Sequence, residues 1–229
     1  CGNHLDAHFD FSKSSSAQWI PCGKHCEGCK GGRCSYRQAY TEGSSIEGTR
    51  FLDYVSLGDS FQKNPAVKVN LGCHTRETRL FFTQKANGIL GLAPGKGRAT
   101  VLEDLYKDSK HVNTQLFAMC LAEHGGIMTV GGYNSSVNAA MSSLQWVPMK
   151  TNRDFYGISL WSLEIEGSDD SPISGSFGNT FVDSGTTFTY FPDDLYKKLR
   201  KALHSFCKKH NCNGTLTGTR CWKVRGGSL

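Results

Sequence analysis

A mostly β chain is what this sequence predicts, on three observations. Short runs of alternating apolar and polar residues recur along its 229 residues, separated by Gly-, Ser- and Asn-rich turns. Helical signals are confined to two places, a capping box at Thr100 and an apolar stripe after Pro192. Ten cysteines, most of them clustered, point to a covalently stapled surface rather than to helical packing. Charged residues make up 20% and apolar ones 38%, so the chain reads as soluble and globular. No apolar run approaches the roughly 18 residues a membrane span needs. The net charge of +6 is modest. Lys197, Lys198, Arg200, Lys201, Lys208 and Lys209 read as the solvated face of one helix, so no nucleic-acid partner is expected. The chain opens at Cys1 without a leader and is taken as a mature piece or a fragment.

Cys22, Cys26, Cys29 and Cys34 form one cysteine cluster; Cys207, Cys212 and Cys221 form another; Cys1, Cys73 and Cys120 stand apart. All ten are disulfide candidates. Zinc is the rival reading of the first cluster, because Cys26-x-x-Cys29 has ligand-like spacing. No second such pair follows at zinc-ribbon distance, which favours disulfides, and no metal is expected. Pairing stays open at this stage. Asn134-Ser-Ser and Asn213-Gly-Thr are glycosylation sequons. Cysteines and sequons together imply an oxidising, lumenal compartment of the secretory pathway.

Taken in order, residues 1–35 are polar and Cys-rich and read as an irregular insert, with Phe9, Phe11, Trp19 and Ile20 as its core contacts. Residues 36–51 read as a hairpin turning at Thr41–Ser45, with Tyr40 and Glu42 at its tip. Such a tip is usually only a turn, but it can also be a mobile lid. Val67–Leu71 is a further strand. Gly91–Gly97 lacks the spacing of a phosphate loop. Thr100-Val-Leu-Glu103 starts a short helix to about Lys107. Phe117–Leu121 and Gly126–Val130 are strands, and His124 reads as a residue of the turn between them, not a base. Composition resets near Pro148, which divides the chain into an N-terminal part, 1–148, and a C-terminal part, 149–229. Phe155–Ile165 reads as a half-buried strand pair and Gly167–Gly178 as a loop. Apolar residues then run into Asp183, followed by Ser184, Gly185, Thr186 and Thr187. That turn surrounds one carboxylate with hydroxyls that can orient it, beside a glycine that admits a ligand. An Asp capping its own loop is the ordinary alternative. Leu195, Leu199, Ala202, Leu203 and Phe206 mark one face of the following helix, and the remaining tail reads as a Cys-rich loop.

Several of these stretches together resemble the pepsin-like aspartic proteases. VDSGTTFTYFP (182–192) with its helix resembles their second catalytic motif, AYTEGSSIEG (39–48) their flap, and NGILGLA (87–93) their hydrophobic-hydrophobic-Gly segment. FYGISLWSLEIEG (155–167) resembles the entry to their C-terminal lobe. The order is the family's, over nearly the whole chain. Within the family, LGCHTRETRLFFTQKANGILGL (71–92), CLAEHGG (120–126), GGYN (131–134) and Cys212-x8-Cys221-Trp222 are similar to the plasmepsin V group of apicomplexan export-motif proteases. The Cys-rich segment before the flap resembles the nepenthesin-type insert.

The resemblance implies a bilobal, mostly β fold with a cleft between the lobes, here truncated at both ends. It implies an aspartic endopeptidase in which water between two aspartates attacks the peptide carbonyl. Two such close carboxylates share one proton. Carried over by position, Asp183 is the C-lobe catalytic residue, Thr186 bonds its outer oxygen, and Ser184 locks the active-site loops. Gly185 and Thr187 line the cleft. Tyr40 becomes the flap tyrosine and Glu42 the carboxylate that pairs with an Arg-x-Leu motif, with Gln84 as a second contact and Lys85 opposing it. Thr41 replaces the flap cysteine of plasmepsin V. No Asp-Thr/Ser-Gly motif occurs before Asp183. The chain alone is therefore expected to be inactive, with a truncated sequence favoured over true loss. A non-catalytic binder or inhibitor on the same fold is the alternative function, and a disulfide-rich adhesion module a weaker one. Protein or peptide substrates, a monomer and no cofactor are expected. Any membrane anchor is expected beyond Leu229.

Overall fold

A computed structural model describes residues 1–58, 66–95, 100–108, 112–134, 145–150, 154–210, 212, 214–217 and 221–224. Asn213 and Lys96–Ala99 lie outside the described residues, as do the side chains from Thr215 onward. The chain is mostly strand with few helices. It forms two compact units, Cys1–Leu144 and Gln145–Leu229.

The first unit is built on a five-stranded antiparallel sheet. Its axis is β4 (Ser45–Val55), flanked by β3 (Arg33–Ala39) and the short β1 (Gln18–Trp19) on one edge and by β5 (Val67–Glu77) on the other. β2 (Gly28–Lys30) pairs with β3. In β4 the buried positions change face along the strand, Ile46 and Gly48 on one side and Phe51 and Asp53 on the other, so its two halves pack against different neighbours. Phe51 is 4% exposed and gathers three rings from the N-terminal segment: Phe9 stacks at 5.1 Å, while Phe11 and Trp19 meet it edge-on at 5.9 Å. Burying one such ring contributes about 2–3 kcal/mol, so these aromatics fasten the segment despite its scarcity of regular structure. Asp53, also buried on β4, accepts hydrogen bonds from the hydroxyls of Ser14 (2.8 Å) and Ser16 (2.5 Å) and from the Tyr54 N–H (2.8 Å). Burial pushes its carboxyl up, but these donors outweigh it and hold the group below the usual aspartate range.

The insert is less irregular than its composition predicts, since β1, β2 and a short 3-10 turn at Phe11–Lys13 lie within it. Cys22–Cys29 and Cys26–Cys34 are disulfides. They consume the thiols a zinc ion would need, and the His25–Cys26–Cys34 grouping offers no free thiolate pair. Cys207–Cys212 is the third disulfide. Among the described residues, Cys1, Cys73 and Cys120 are unbridged. Cys73 on β5 and Cys120 on β6 (Phe117–Ala122) belong to different sheets, and Cys1 Sγ donates to the His74 carbonyl at 3.6 Å.

At the base of the β3–β4 hairpin, Tyr36 is wedged between two glycines on neighbouring strands. A Cβ at Gly72 would stand 2.4 Å from the Tyr36 hydroxyl oxygen, and one at Gly48 would stand 2.8 Å away. Burial raises the phenol's pKa well above its ordinary value. Beside this trio β5 carries a bulge: Glu47 faces Arg76 while Gly48 faces His74, leaving Thr75 as the extra residue. After β5 come α1 (Leu80–Thr83) and α2 (Val101–Lys107). The Glu103 N–H donates to Thr100 Oγ1 at 3.2 Å, the N-cap that the sequence predicts. β6 and β7 (Gly125–Val130) form a hairpin turning at Gly125, whose φ of 117° suits a residue without Cβ.

In the second unit, β8 (Tyr156–Ile158) and β9 (Ser162–Leu163) do not pair with each other. β8 pairs with β11 (Thr180–Val182), and β9 pairs with β10 (Ile173–Ser174), a strand inside the expected loop. The long helix α3 (Asp193–His210) shields the predicted stripe, burying Leu195 and leaving Leu199, Ala202, Leu203 and Phe206 half-covered. The tail expected as a loop holds a hairpin, β12 (Gly214–Thr217) and β13 (Cys221–Val224). Among the described residues, no helix is long and apolar enough to cross a membrane.

Candidate active site

β11 delivers Asp183 to its turn. The strand is registered by β8, with Val182 opposite Tyr156 and Phe181 opposite Gly157, and the Phe155 and Phe181 rings stack at 4.4 Å. The chain then doubles back on the carboxylate. The Gly185 N–H donates to Asp183 Oδ1 at 2.9 Å, and the Thr186 hydroxyl donates to Oδ2. The Thr186 N–H reaches the Asp183 carbonyl at 3.4 Å. Each carboxylate oxygen thus has one donor and keeps capacity to accept another. A Cβ on Gly185 would sit 3.3 Å from Oδ1, so a larger residue would press on the carboxylate it now supports. Asp183, Ser184, Gly185, Thr186 and Thr187 are all exposed. The turn ends at Pro192, whose carbonyl accepts from the Tyr196 N–H at 2.9 Å in the first turn of α3.

Tyr40, Glu42 and Gln84 belong to the other unit and are described within it. Tyr40 closes the hairpin turn: its N–H donates to the Ser44 carbonyl, and its own carbonyl accepts from the Gly43 N–H, both at 2.9 Å. Gly43 takes φ 93°, a conformation that favours glycine. The Tyr40 ring rests on Phe81 at 4.7 Å, and burial, with Glu42 nearby, raises its phenol's pKa. Glu42 is fully exposed and folds back so that the Ser44 N–H donates to Oε2 at 3.3 Å. The Ser44 hydrogen bond, then the Arg79 charge, hold its carboxyl below the usual glutamate range against the small cost of burial. Gln84 ends α1; its side-chain amide donates to the Ala86 carbonyl at 3.1 Å.

Two groups near this turn carry no motif signature. Glu77, 8% exposed at the end of β5, meets His74 Nδ1 (2.8 Å), His4 Nε2 (3.1 Å) and the Gly2 N–H (3.2 Å). The other nitrogen of His4 lies 2.8 Å from the Gln84 carbonyl, so one imidazole ties the N-terminal segment to both. Burial pushes the Glu77 carboxyl up, yet the His74, Gly2 and His4 contacts prevail and hold it low. Arg79 is the second, with its guanidinium against the hairpin turn at Glu42. The one hint in the sequence was the charge density of Arg76-Glu-Thr-Arg79 beside a predicted strand. Asn134 is exposed after β7.

Residues 7–221 match the family model for eukaryotic aspartyl protease. Aspartic protease 5 of Toxoplasma gondii is 35% identical over 239 residues, covering 81% of this chain and 25% of that relative. Plasmepsin V of Plasmodium falciparum (isolate 3D7) is 27% identical over 260 residues, covering 90% of this chain and 43% of the relative. Rhizopuspepsin-1 of Rhizopus niveus is 27% identical over 234 residues, covering 92% and 56% respectively. The chain thus spans between 25% and 56% of the length of these relatives.

Proposed function

This chain belongs to the eukaryotic aspartyl protease family, and from that premise we propose that its full-length protein is an endopeptidase cutting secretory or exported proteins at Arg-x-Leu motifs. The observation that carries the proposal is the Asp183 carboxylate held between the Gly185 N–H and the Thr186 hydroxyl. A carboxylate oriented in this way can accept a proton from water while a second aspartate, protonated, polarises the peptide carbonyl. The second aspartate would come from the remainder of the full-length protein. Tyr40 would close over the bound peptide, and Ser184 and Thr187 would support the turn and the peptide backbone. Glu42 would pair with the substrate guanidinium, a charge-assisted contact with good geometric selectivity. Gln84 would add a second contact once its amide leaves Ala86. Three disulfides favour an oxidising lumenal compartment for the monomer, with Asn134 and Asn213 as its glycosylation sites.

The test uses the full-length protein and two peptides that differ only in arginine or alanine at the motif. Asp183→Asn should lower kcat by at least about a thousandfold while peptide binding persists. Glu42→Ala should cut the arginine-over-alanine preference by about tenfold or more. A full-length protein that binds the arginine peptide without cutting it would instead be a binder built on a protease fold. An unchanged preference in Glu42→Ala would remove the specificity assignment.

A further inference from the structure

The flap turn is docked on the segment that follows β5. The Ser45 N–H donates to Thr78 Oγ1 at 2.8 Å, and the Thr78 N–H donates back to the Ser45 carbonyl at 3.0 Å. The Leu80 N–H donates to Ser44 Oγ at 3.2 Å, and Ser44 is 1% exposed. Arg79 stands between those two anchors. Its backbone, at φ 51° and ψ −119°, is the one positive-φ position occupied by a non-glycine among the described residues. A residue with a Cβ pays for that conformation, and such outliers concentrate where a side chain must be aimed. Here it is aimed at the flap. Arg79 Nη1 donates to the Glu42 carbonyl at 3.4 Å, and a Cβ on Gly43 would lie 2.5 Å from the same nitrogen. Glycine at position 43 therefore serves both its φ and the approach of this guanidinium.

We propose that Arg79 is a specificity-determining residue, a resident guanidinium held beside Glu42 that an incoming substrate arginine must displace. The proposal rests on the reading of Glu42 as the arginine-recognition residue. The hydrogen bond goes to the Glu42 backbone carbonyl, and the charge also reaches the carboxylate; a cation tethered there has a high effective concentration, so weakly bound cationic groups lose to it. An arginine that forms two parallel hydrogen bonds to the carboxylate can win, and the competition sets the arginine preference below what Glu42 alone would give. Arg79 acts on the substrate through Glu42 and the turn, without touching the scissile bond.

The experiment compares the full-length protein with its Arg79→Ala, Arg79→Gly and Arg79→Lys variants on matched arginine and alanine peptides. Arg79→Ala should lower KM for the arginine peptide relative to the alanine peptide by about two- to five-fold, the small effect expected when one exposed charge is removed from a carboxylate's surroundings. Arg79→Gly, which relieves the positive φ, should do the same, and Arg79→Lys should restore the wild-type ratio. A relative KM that rises or stays put would overturn the proposal. Amide exchange of residues 40–45 is followed in parallel and needs no activity. It should quicken in the Ala and Gly variants, and unchanged exchange would overturn the hold on the turn. A wild-type enzyme indifferent to arginine, with quickened exchange in the variants, would remove the Glu42 reading and the competition with it, leaving Arg79 a flap-positioning residue only.

Discussion

Glu77 joins segments that are far apart in sequence, since its donors sit at positions 2, 4 and 74. Its carboxyl is held below the ordinary glutamate value of about 4.3. The folded state therefore binds this proton less readily than the unfolded chain does. The contribution to stability is present above the ordinary value and is lost as pH falls through the depressed one. The melting temperature of the wild type should drop on acidification from about pH 5 to pH 3, and that of Glu77→Gln should drop less steeply. At neutral pH the same variant should be about 1–3 kcal/mol less stable, measured by urea unfolding. Asp183 was legible in the sequence because its donors, Gly185 and Thr186, lie within three residues of it. Glu77 and Arg79 were not, because what defines them is contact across dozens of residues and a backbone angle that no composition records.

Elements were legible where local chemistry decides them. Thr100 and Glu103 announce α2, and Pro192 with its two aspartates announces α3. Strands were found less completely, because pairing sets their extent. β5 continues through polar residues to Glu77 because β4 offers it backbone partners as far as Ile46. β8 and β9 were misjudged as partners because each finds its mate farther along the chain, at Thr180–Val182 for β8 and at Ile173–Ser174 for β9. In the insert, Cys29 and Cys34 face each other across β2 and β3, yet each bonds outward, to Cys22 and Cys26. These cross-links replace the apolar core that so polar a segment lacks. Closing loops with separations of seven and eight residues should contribute about 2–3 kcal/mol per bridge by chain entropy. Replacing Cys22 and Cys29 together by serine should lower unfolding stability by that amount, and a midpoint that does not move would show the hairpin holding without its bridge.

The two units differ in how much they bury. Among the described residues, the first encloses Phe51, Val69, Leu102 and Leu105, whereas the second encloses Phe177 and Leu195. The second also leaves Trp161 82%, Phe188 71% and Tyr190 78% exposed. A core that thin cannot offset the entropy of ordering its chain. Residues 1–144, produced alone with disulfides intact, should melt in one cooperative transition. Residues 145–229 alone should bind a hydrophobic dye and unfold without one; a sharp calorimetric peak for them would contradict this. The β class of the molecule was legible from alternation and turns and its two-part division from the composition reset near Pro148, while the cleft between lobes entered only through resemblance, since no residue pattern encodes a domain's neighbour. The packing of Tyr36 between Gly48 and Gly72 also constrains how this chain can drift over generations. A first mutation at Gly72 collides with the phenol, one at Gly48 meets the Cys73 backbone carbonyl before the phenol, and a first mutation at the tyrosine opens a hole between the strands. Lineages should therefore keep glycine at position 48, and a side chain at position 72 should be inherited with a smaller residue at position 36.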